Sequence, residues 1–179
     1  MLGSQIQKAL KRLDAELKQA GLRRELTCCG AGALLLLEVI DRSTRDVDVI
    51  VPAIDPILQS LSEKVAQEFD LDPNWLNNEP AGLVRDLEEG WQDRAQTVFQ
   101  GNALTLKALG RRDFIASKLF AYCDRDEQDL DDLIGLKATS DEVMDLKPWV
   151  LRRDASALWP ARVEKCFLKL LRKIENEDR

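Results

Sequence analysis

Residues 30–48 read G-A-G-A-L-L-L-L-E-V-I-D-R-S-T-R-D-V-D, and the reading of this stretch decides the fold. Asp46 and Asp48 flank Val47 and are followed by Val49, Ile50 and Val51. Strand side chains alternate, so the pair sits at the start of a strand with both carboxylates on one face. Two carboxylates so placed suit a divalent metal. Upstream, an apolar strand over Leu26–Cys29 runs into a small-residue turn at Gly30 and Ala31, with Gly32 just beyond. Such a turn lets backbone amides approach a phosphate. A helix predicted from about Gly32 to Ile40 joins the two strands, and Pro52 ends the second.

Working outward, Ile6, Leu10, Leu13 and Leu17 predict an amphipathic helix from about Ser4 to Gln19 that packs on the sheet, with Gly21 as its C-cap. A helix over about Pro56–Phe69 is followed by the turn-rich run L-D-P-N-W-L-N-N-E-P-A-G, read as the longest loop and as a border of the site. Apolar runs at Thr97–Phe99 and Leu104–Leu109, split by Gln100, Gly101 and Asn102, predict a hairpin. From Arg111 onward the periodicity is helical: about Asp113–Cys123, Glu127–Leu136, Asp141–Leu151 with Ser140 as N-cap, and Pro160–Asn176, before a frayed E-N-E-D-R end. The expectation is an α/β (α+β) chain: a small mixed sheet with flanking helices over 1–110, and a C-terminal helical layer over 111–179 that packs on the same domain and closes a cleft.

With 179 residues the chain buries a real core without staples. The apolar run Cys28–Leu37 is far shorter than a membrane span and the N-terminus lacks a signal-peptide layout, so the expectation is a cytoplasmic protein without membrane contact. Cys28, Cys29, Cys123 and Cys166 show no C-x-x-C spacing and read as reduced core residues. The absence of histidine removes His-based triads and His-ligated zinc, leaving carboxylates, Lys, Arg, Tyr and Cys as candidate chemical groups, a cut that metal and phosphate chemistry survives. A net charge of −6 argues against a broad nucleic-acid surface, while a local basic patch could still meet an RNA end.

The glycine turn, the R-x-T-x-D-x-D run of Arg42, Thr44, Asp46 and Asp48, and a later F-I-A-S-K-L-F-A-Y-C-D-R-D-E-Q-D-L-D-D-L helix together resemble the nucleotidyltransferase superfamily, most closely its AbiEii-like branch of abortive-infection and toxin–antitoxin proteins. Ala31 stands where that family has its second Gly or a Ser. The resemblance implies a nucleoside triphosphate (NTP) bound at Gly30 and Ala31, with Mg²⁺ (or Mn²⁺) on Asp46 and Asp48. Read from the residues alone, alternating Asp on a strand also describes a solvated edge. The glycine turn and the R-x-T prefix favour the metal site, where phosphoryl-type transfer needs mostly positioning and electrostatics.

Lys118 lies among Phe114, Ile115, Leu119, Phe120 and Tyr122. It reads as a phosphate contact, which the resemblance also implies, or as a lysine snorkelling from an amphipathic helix. Arg125, seven residues on, is a second phosphate candidate or a helix C-terminal cation. Asp129 and Asp132 share a face with Leu130 and Leu133 behind them; the resemblance makes Asp129 the group that assists the acceptor hydroxyl, and Asp131 and Asp132 read as a solvated acidic helix start. Arg42, Thr44 and Arg45 are candidates for phosphate or ribose contact, or form a polar turn. Trp75 and Asn77 are placed at an acceptor or base pocket, a lone Trp being more often a core anchor, and Trp91, Trp149 and Trp159 in packing.

These readings converge on a metal-dependent nucleotidyltransferase, with a toxin-like role, that moves a nucleoside monophosphate from an NTP to an RNA end, a protein or a small molecule such as a cationic antibiotic. The alternative is an inactive member of the fold acting as an interaction or antitoxin-like regulatory module. Oligomeric state is not legible.

Overall fold

The computed structural model describes residues 1–125 and 128–177, in two compact units, Met1–Gly110 and Arg111–Arg179. The first is a mixed α/β unit. Helix α1 (Gly3–Gln19) leads to β1 (Arg24–Cys29), α2 (Gly30–Leu36), β2 (Val47–Val51) and α3 (Pro56–Phe69). Then come the short β3 (Leu76–Asn77), a 3₁₀ segment (Glu79–Arg85), α4 (Trp91–Arg94), β4 (Gln96–Gln100) and β5 (Leu104–Ala108). The five strands form one sheet in the order β3-β2-β1-β5-β4. Strand β1 is antiparallel to β2 and parallel to β5; β2 and β3 are parallel, β4 and β5 antiparallel.

The apolar stripe of α1 does what its spacing dictates: Ile6, Leu10, Leu13 and Leu17 are fully buried. The same helix turns a carboxylate inward. Asp14 accepts the backbone N–H groups of Ala103 and Leu104 at 2.7 and 2.8 Å, which ties α1 to the start of β5. A Cβ on Gly101 would overlap that carboxylate. Helix α3 starts on Asp55, whose Oδ1 accepts from Ile57 and Leu58, with Pro56 at the first helical position. Asp55 also pairs with Arg24 at 2.8 Å, so the cap of α3 is tied to the first residue of β1.

The second unit contains α5 (Arg111–Asp124), α6 (Gln128–Gly135), α7 (Ser140–Leu151) and α8 (Trp159–Glu177). Arg111 organises it. Its guanidinium donates to the carbonyls of Leu136 and Lys137, just past the end of α6, at 2.5 and 2.8 Å, and grips Glu142 in the first turn of α7 at 2.7 and 2.9 Å. Trp149 and Trp159 are buried here, the latter donating its indole N–H to the Val150 carbonyl, and Trp91 is buried in the first unit. No helix among the described residues is long and apolar enough to cross a membrane.

Several boundaries differ from the sequence reading, each for a local reason. Helix α2 begins at Gly30 rather than Gly32 and ends at Leu36 rather than Ile40, because Val39 N–H closes back on the Leu34 carbonyl and Glu38 takes a positive φ of 58°. Thr139, not Ser140, caps α7: its hydroxyl accepts from Glu142 N–H, and the Glu142 carboxylate accepts from Thr139 N–H. The supposed long loop contains β3 and the start of the 3₁₀ segment. Helix α8 runs on to Glu177, so Glu175, Asn176 and Glu177 of the expected frayed end are helical; Asp178 and Arg179 lie outside the described residues, as does Glu127 at the expected start of α6.

Candidate functional site

In the sheet unit the D-x-D segment and the glycine turn meet through strand register. Cys29, the last residue of β1, is the cross-strand partner of Asp48, so the turn that follows it is delivered beside that carboxylate. Gly30 has φ +71°, and a Cβ there would overlap Asp48 Oδ2. Only glycine satisfies both the backbone angle and the approach. Two residues on, a Cβ at Gly32 would lie 2.6 Å from the Asp46 carbonyl oxygen and 3.1 Å from Val47 Cα. The turn is thus pressed against the D-x-D backbone at one glycine and against its carboxylate at the other.

Val47 and Val49 are fully buried while Asp46 and Asp48 are half-buried, which puts the two carboxylates together on the other face of β2. Asp46 lies one residue before the strand proper. Thr44 Oγ1 reaches Asp46 Oδ1 at 3.3 Å, so the threonine of the R-x-T prefix contacts the first carboxylate. Arg45 is exposed, while Ala31 and Arg42 are half-buried. Asn77 of β3 pairs in parallel register with Asp48, as Leu76 does with Val47, and so shares the face that carries the carboxylates. Its Oδ1 accepts the Glu79 N–H at 2.8 Å, starting the 3₁₀ segment. Trp75, considered for a pocket wall, is instead fully buried and donates its indole N–H to the Ser62 carbonyl.

The donor set can be tested against a divalent cation. Mg²⁺ is commonly held by one or two carboxylates, with water and substrate phosphate oxygens completing the shell. Asp46 and Asp48 meet that requirement. Among the described residues no group of three or more His, Cys, Asp or Glu is arranged to hold a metal, so the remaining positions of such an ion fall to water and phosphate. Two carboxylates are a donor set suited to an oxygen-loving cation.

The helical unit brings together a second constellation. Lys118 Nζ lies 2.7 Å from Asp129 Oδ1 and 2.6 Å from Asp132 Oδ2, and the three side chains are only 13, 12 and 1 % exposed. Burial alone would lower the Lys118 pKa, but the two carboxylates outweigh it and hold the ammonium above the ordinary lysine value. Lys118 therefore does not snorkel. Asp132, read as part of a solvated helix start, is buried: at three residues from Asp129 it shares the helix face that receives the lysine. Asp131 is exposed and lies 3.3 Å from Lys173. Arg125 is exposed, just past the end of α5.

Two positions escaped the sequence reading. Gly32 carried no signal beyond being small, because its role lies in a contact with another strand. Asn78 looked like loop, yet it donates to the Val49 carbonyl at 2.8 Å and accepts the Ile54 N–H, pinning the chain on both sides of Pro52.

The family model described as "Nucleotidyltransferase of unknown function (DUF6036)" matches residues 8–145, well over half of the chain. No significantly similar curated protein or solved structure is found. The matched segment spans the glycine turn, the D-x-D strand and the Lys118 and Asp129 helices, and the chain belongs to this family of nucleotidyltransferases of unknown function.

Proposed function

We propose that the protein is a metal-dependent nucleotidyltransferase that moves a nucleoside monophosphate from an NTP to the hydroxyl of an RNA, protein or small-molecule acceptor. The observation that carries this reading is the clamp between the glycine turn and the D-x-D segment, with Gly30 against Asp48 and Gly32 against the Asp46 backbone. Asp46 and Asp48 would hold Mg²⁺ or Mn²⁺, which when bound supplies charge stabilisation for the triphosphate and the departing pyrophosphate. The backbone at Gly30 and Ala31 receives the phosphates. Thr44 orients Asp46, and Arg45 offers an exposed cation to the nucleotide. In the helical unit Lys118 is held by Asp129 and Asp132, and a role for Lys118 and Arg125 toward phosphate and for Asp129 toward the acceptor hydroxyl requires that this ion cluster open. A toxin-like role and the AbiEii-like branch belong to this reading.

One observation supports a second reading, an inactive member of the fold that acts as an interaction or antitoxin-like module: the Lys118 ammonium is already held by two carboxylates. Calorimetry with each of the four ribonucleoside triphosphates separates the two. The expected result is binding that requires Mg²⁺ and is lost in the Asp46→Asn, Asp48→Asn double variant. Absence of binding by any triphosphate overturns the enzyme reading in favour of the second.

A further inference from the structure

Helix α8 reverses the charge balance of the chain. It carries Arg162, Lys165, Lys169, Arg172 and Lys173 against Glu164, Glu175 and Glu177, in a protein of net charge −6. Val163, Phe167, Leu170 and Ile174 are buried along one side. On the other side Lys165, Lys169 and Arg172 are exposed, with Lys173 half-buried and Leu168 49 % exposed between them. Glu164 on this face is paired with Lys147 at 2.5 Å, and Lys173 reaches the exposed Asp131 of α6 at 3.3 Å. At about 1.5 Å of rise per residue, Lys165 to Lys173 form a row of cations about 12 Å long.

We infer that this face of α8 binds single-stranded RNA by its phosphates. A row one helix wide fits one phosphodiester chain, and Leu168 offers an apolar contact beside it. An acidic helix is the poorer occupant. Helix-in-groove docking needs apolar anchors at successive turns, and this face offers Leu168 and Ala161. The inference rests on the proposed transfer only in choosing RNA among polyanions, since an RNA end is an acceptor which that reading admits.

The test is fluorescence anisotropy of the whole protein, without nucleotide, with a labelled single-stranded RNA of about 16 nucleotides, a length that covers the site sizes typical of single-strand binding. Four phosphate contacts predict that log K falls with log salt concentration at a slope of about −3. Replacing Lys165, Lys169 and Arg172 by Glu should bring the slope to about −1 or less and lower affinity about tenfold or more. The same charge change on exposed α1 residues, Lys8, Lys11 and Lys18 to Glu, should leave both nearly unchanged. No RNA binding at low salt, equal losses in the two variants, or equally tight binding of DNA of the same sequence overturns the inference. Because nucleotide is absent, its failure is separable from failure of Mg²⁺-dependent NTP binding.

Discussion

At the start of β2, Asp46 and Asp48 stand half-buried beside a glycine turn and the Asn77 strand, whereas on α6 Asp129 and Asp132 are folded inward around one lysine at 2.7 and 2.6 Å. The two motifs look alike as text: two aspartates, one or two residues between them, apolar residues alongside. What separates them is burial: the acids of α6 are folded inward onto a lysine, while those of β2 stay half-buried. Lys118 lets α6 bury its acids, since a charge leaves water only when paired and hydrogen-bonded. Beside β2, Asp48 packs against the glycine turn, where a Cβ on Gly30 would overlap its Oδ2.

Removing the lysine tests the inward half of this comparison and has the largest expected effect. Lys118→Met leaves Asp129 and Asp132 buried without their cation and should destabilise the protein by about 3–5 kcal/mol in urea denaturation. Adding Asp129→Asn and Asp132→Leu to it should recover most of that loss, because an apolar replacement of a whole buried ion cluster is close to neutral. If Lys118→Met instead keeps its stability and loses triphosphate binding, the comparison breaks and Lys118 belongs with the phosphate site.

Asp14 offers a third solution, a buried carboxylate served by backbone N–H groups. Burial would raise its pKa, but the bonds from Ala103, Leu104 and Asn102 outweigh this and hold it below the ordinary aspartate value. With the folded pKa depressed, its contribution is present above the unfolded value and lost as pH falls through the folded one. Asp14→Ala strands the N–H donors of Ala103 and Leu104 among others and should cost about 2–3 kcal/mol near neutral pH, with the difference from wild type shrinking under acid. A difference that stays constant into acid would assign the loss to packing.

Much of this fold was legible because it is local. Pro56–Phe69 is the helix as read, and the Gln100-Gly101-Asn102 turn marked the β4–β5 hairpin. The D-x-D and the glycine turn could be named as a pair, but their mutual contact could not: it depends on the antiparallel Cys29–Asp48 register, which neither strand declares alone. Strand β3 is two residues long, too short for any alternation to show. The burial of Asp14 and Asp132 was hidden for the same reason as the role of Gly32. Each is decided by a partner far along the chain or on another helix, and composition suggests the opposite for an acid.

The outward half of the comparison can be sharpened with two glycines that share one backbone angle. Gly21 and Gly30 both have φ +71°, but a Cβ at Gly21 meets nothing within 4 Å while at Gly30 it overlaps Asp48 Oδ2. Gly21→Ala should therefore report the backbone strain alone, about 1 kcal/mol. Gly30→Ala should lose about 2 kcal/mol and, in addition, the Mg²⁺-dependent nucleotide binding that Gly21→Ala retains. Equal losses and retained binding in both would detach the turn from the carboxylate.

The smallest effect concerns an acid near the surface that the helical unit pairs without fully burying. The hydrogen bonds from Arg111 hold Glu142 well down, with burial opposing and Thr139 assisting, at about 2 against an ordinary 4.5. A depressed folded pKa means that the stabilisation is complete above about pH 5 and is lost as pH falls from 4.5 toward 2. The Glu142 side chain is 34 % exposed, so solvent screening reduces the value of the pair to about 1 kcal/mol. The urea midpoints of wild type and Glu142→Gln should then differ by a constant amount from neutral pH down to about 5 and converge near pH 2.5. Had Arg111 acted only through its bonds to the Leu136 and Lys137 carbonyls, the gap would be pH-independent. Convergence would show that even a half-buried acid of this unit is held by a cation of its own, the arrangement that Lys118 carries into the interior.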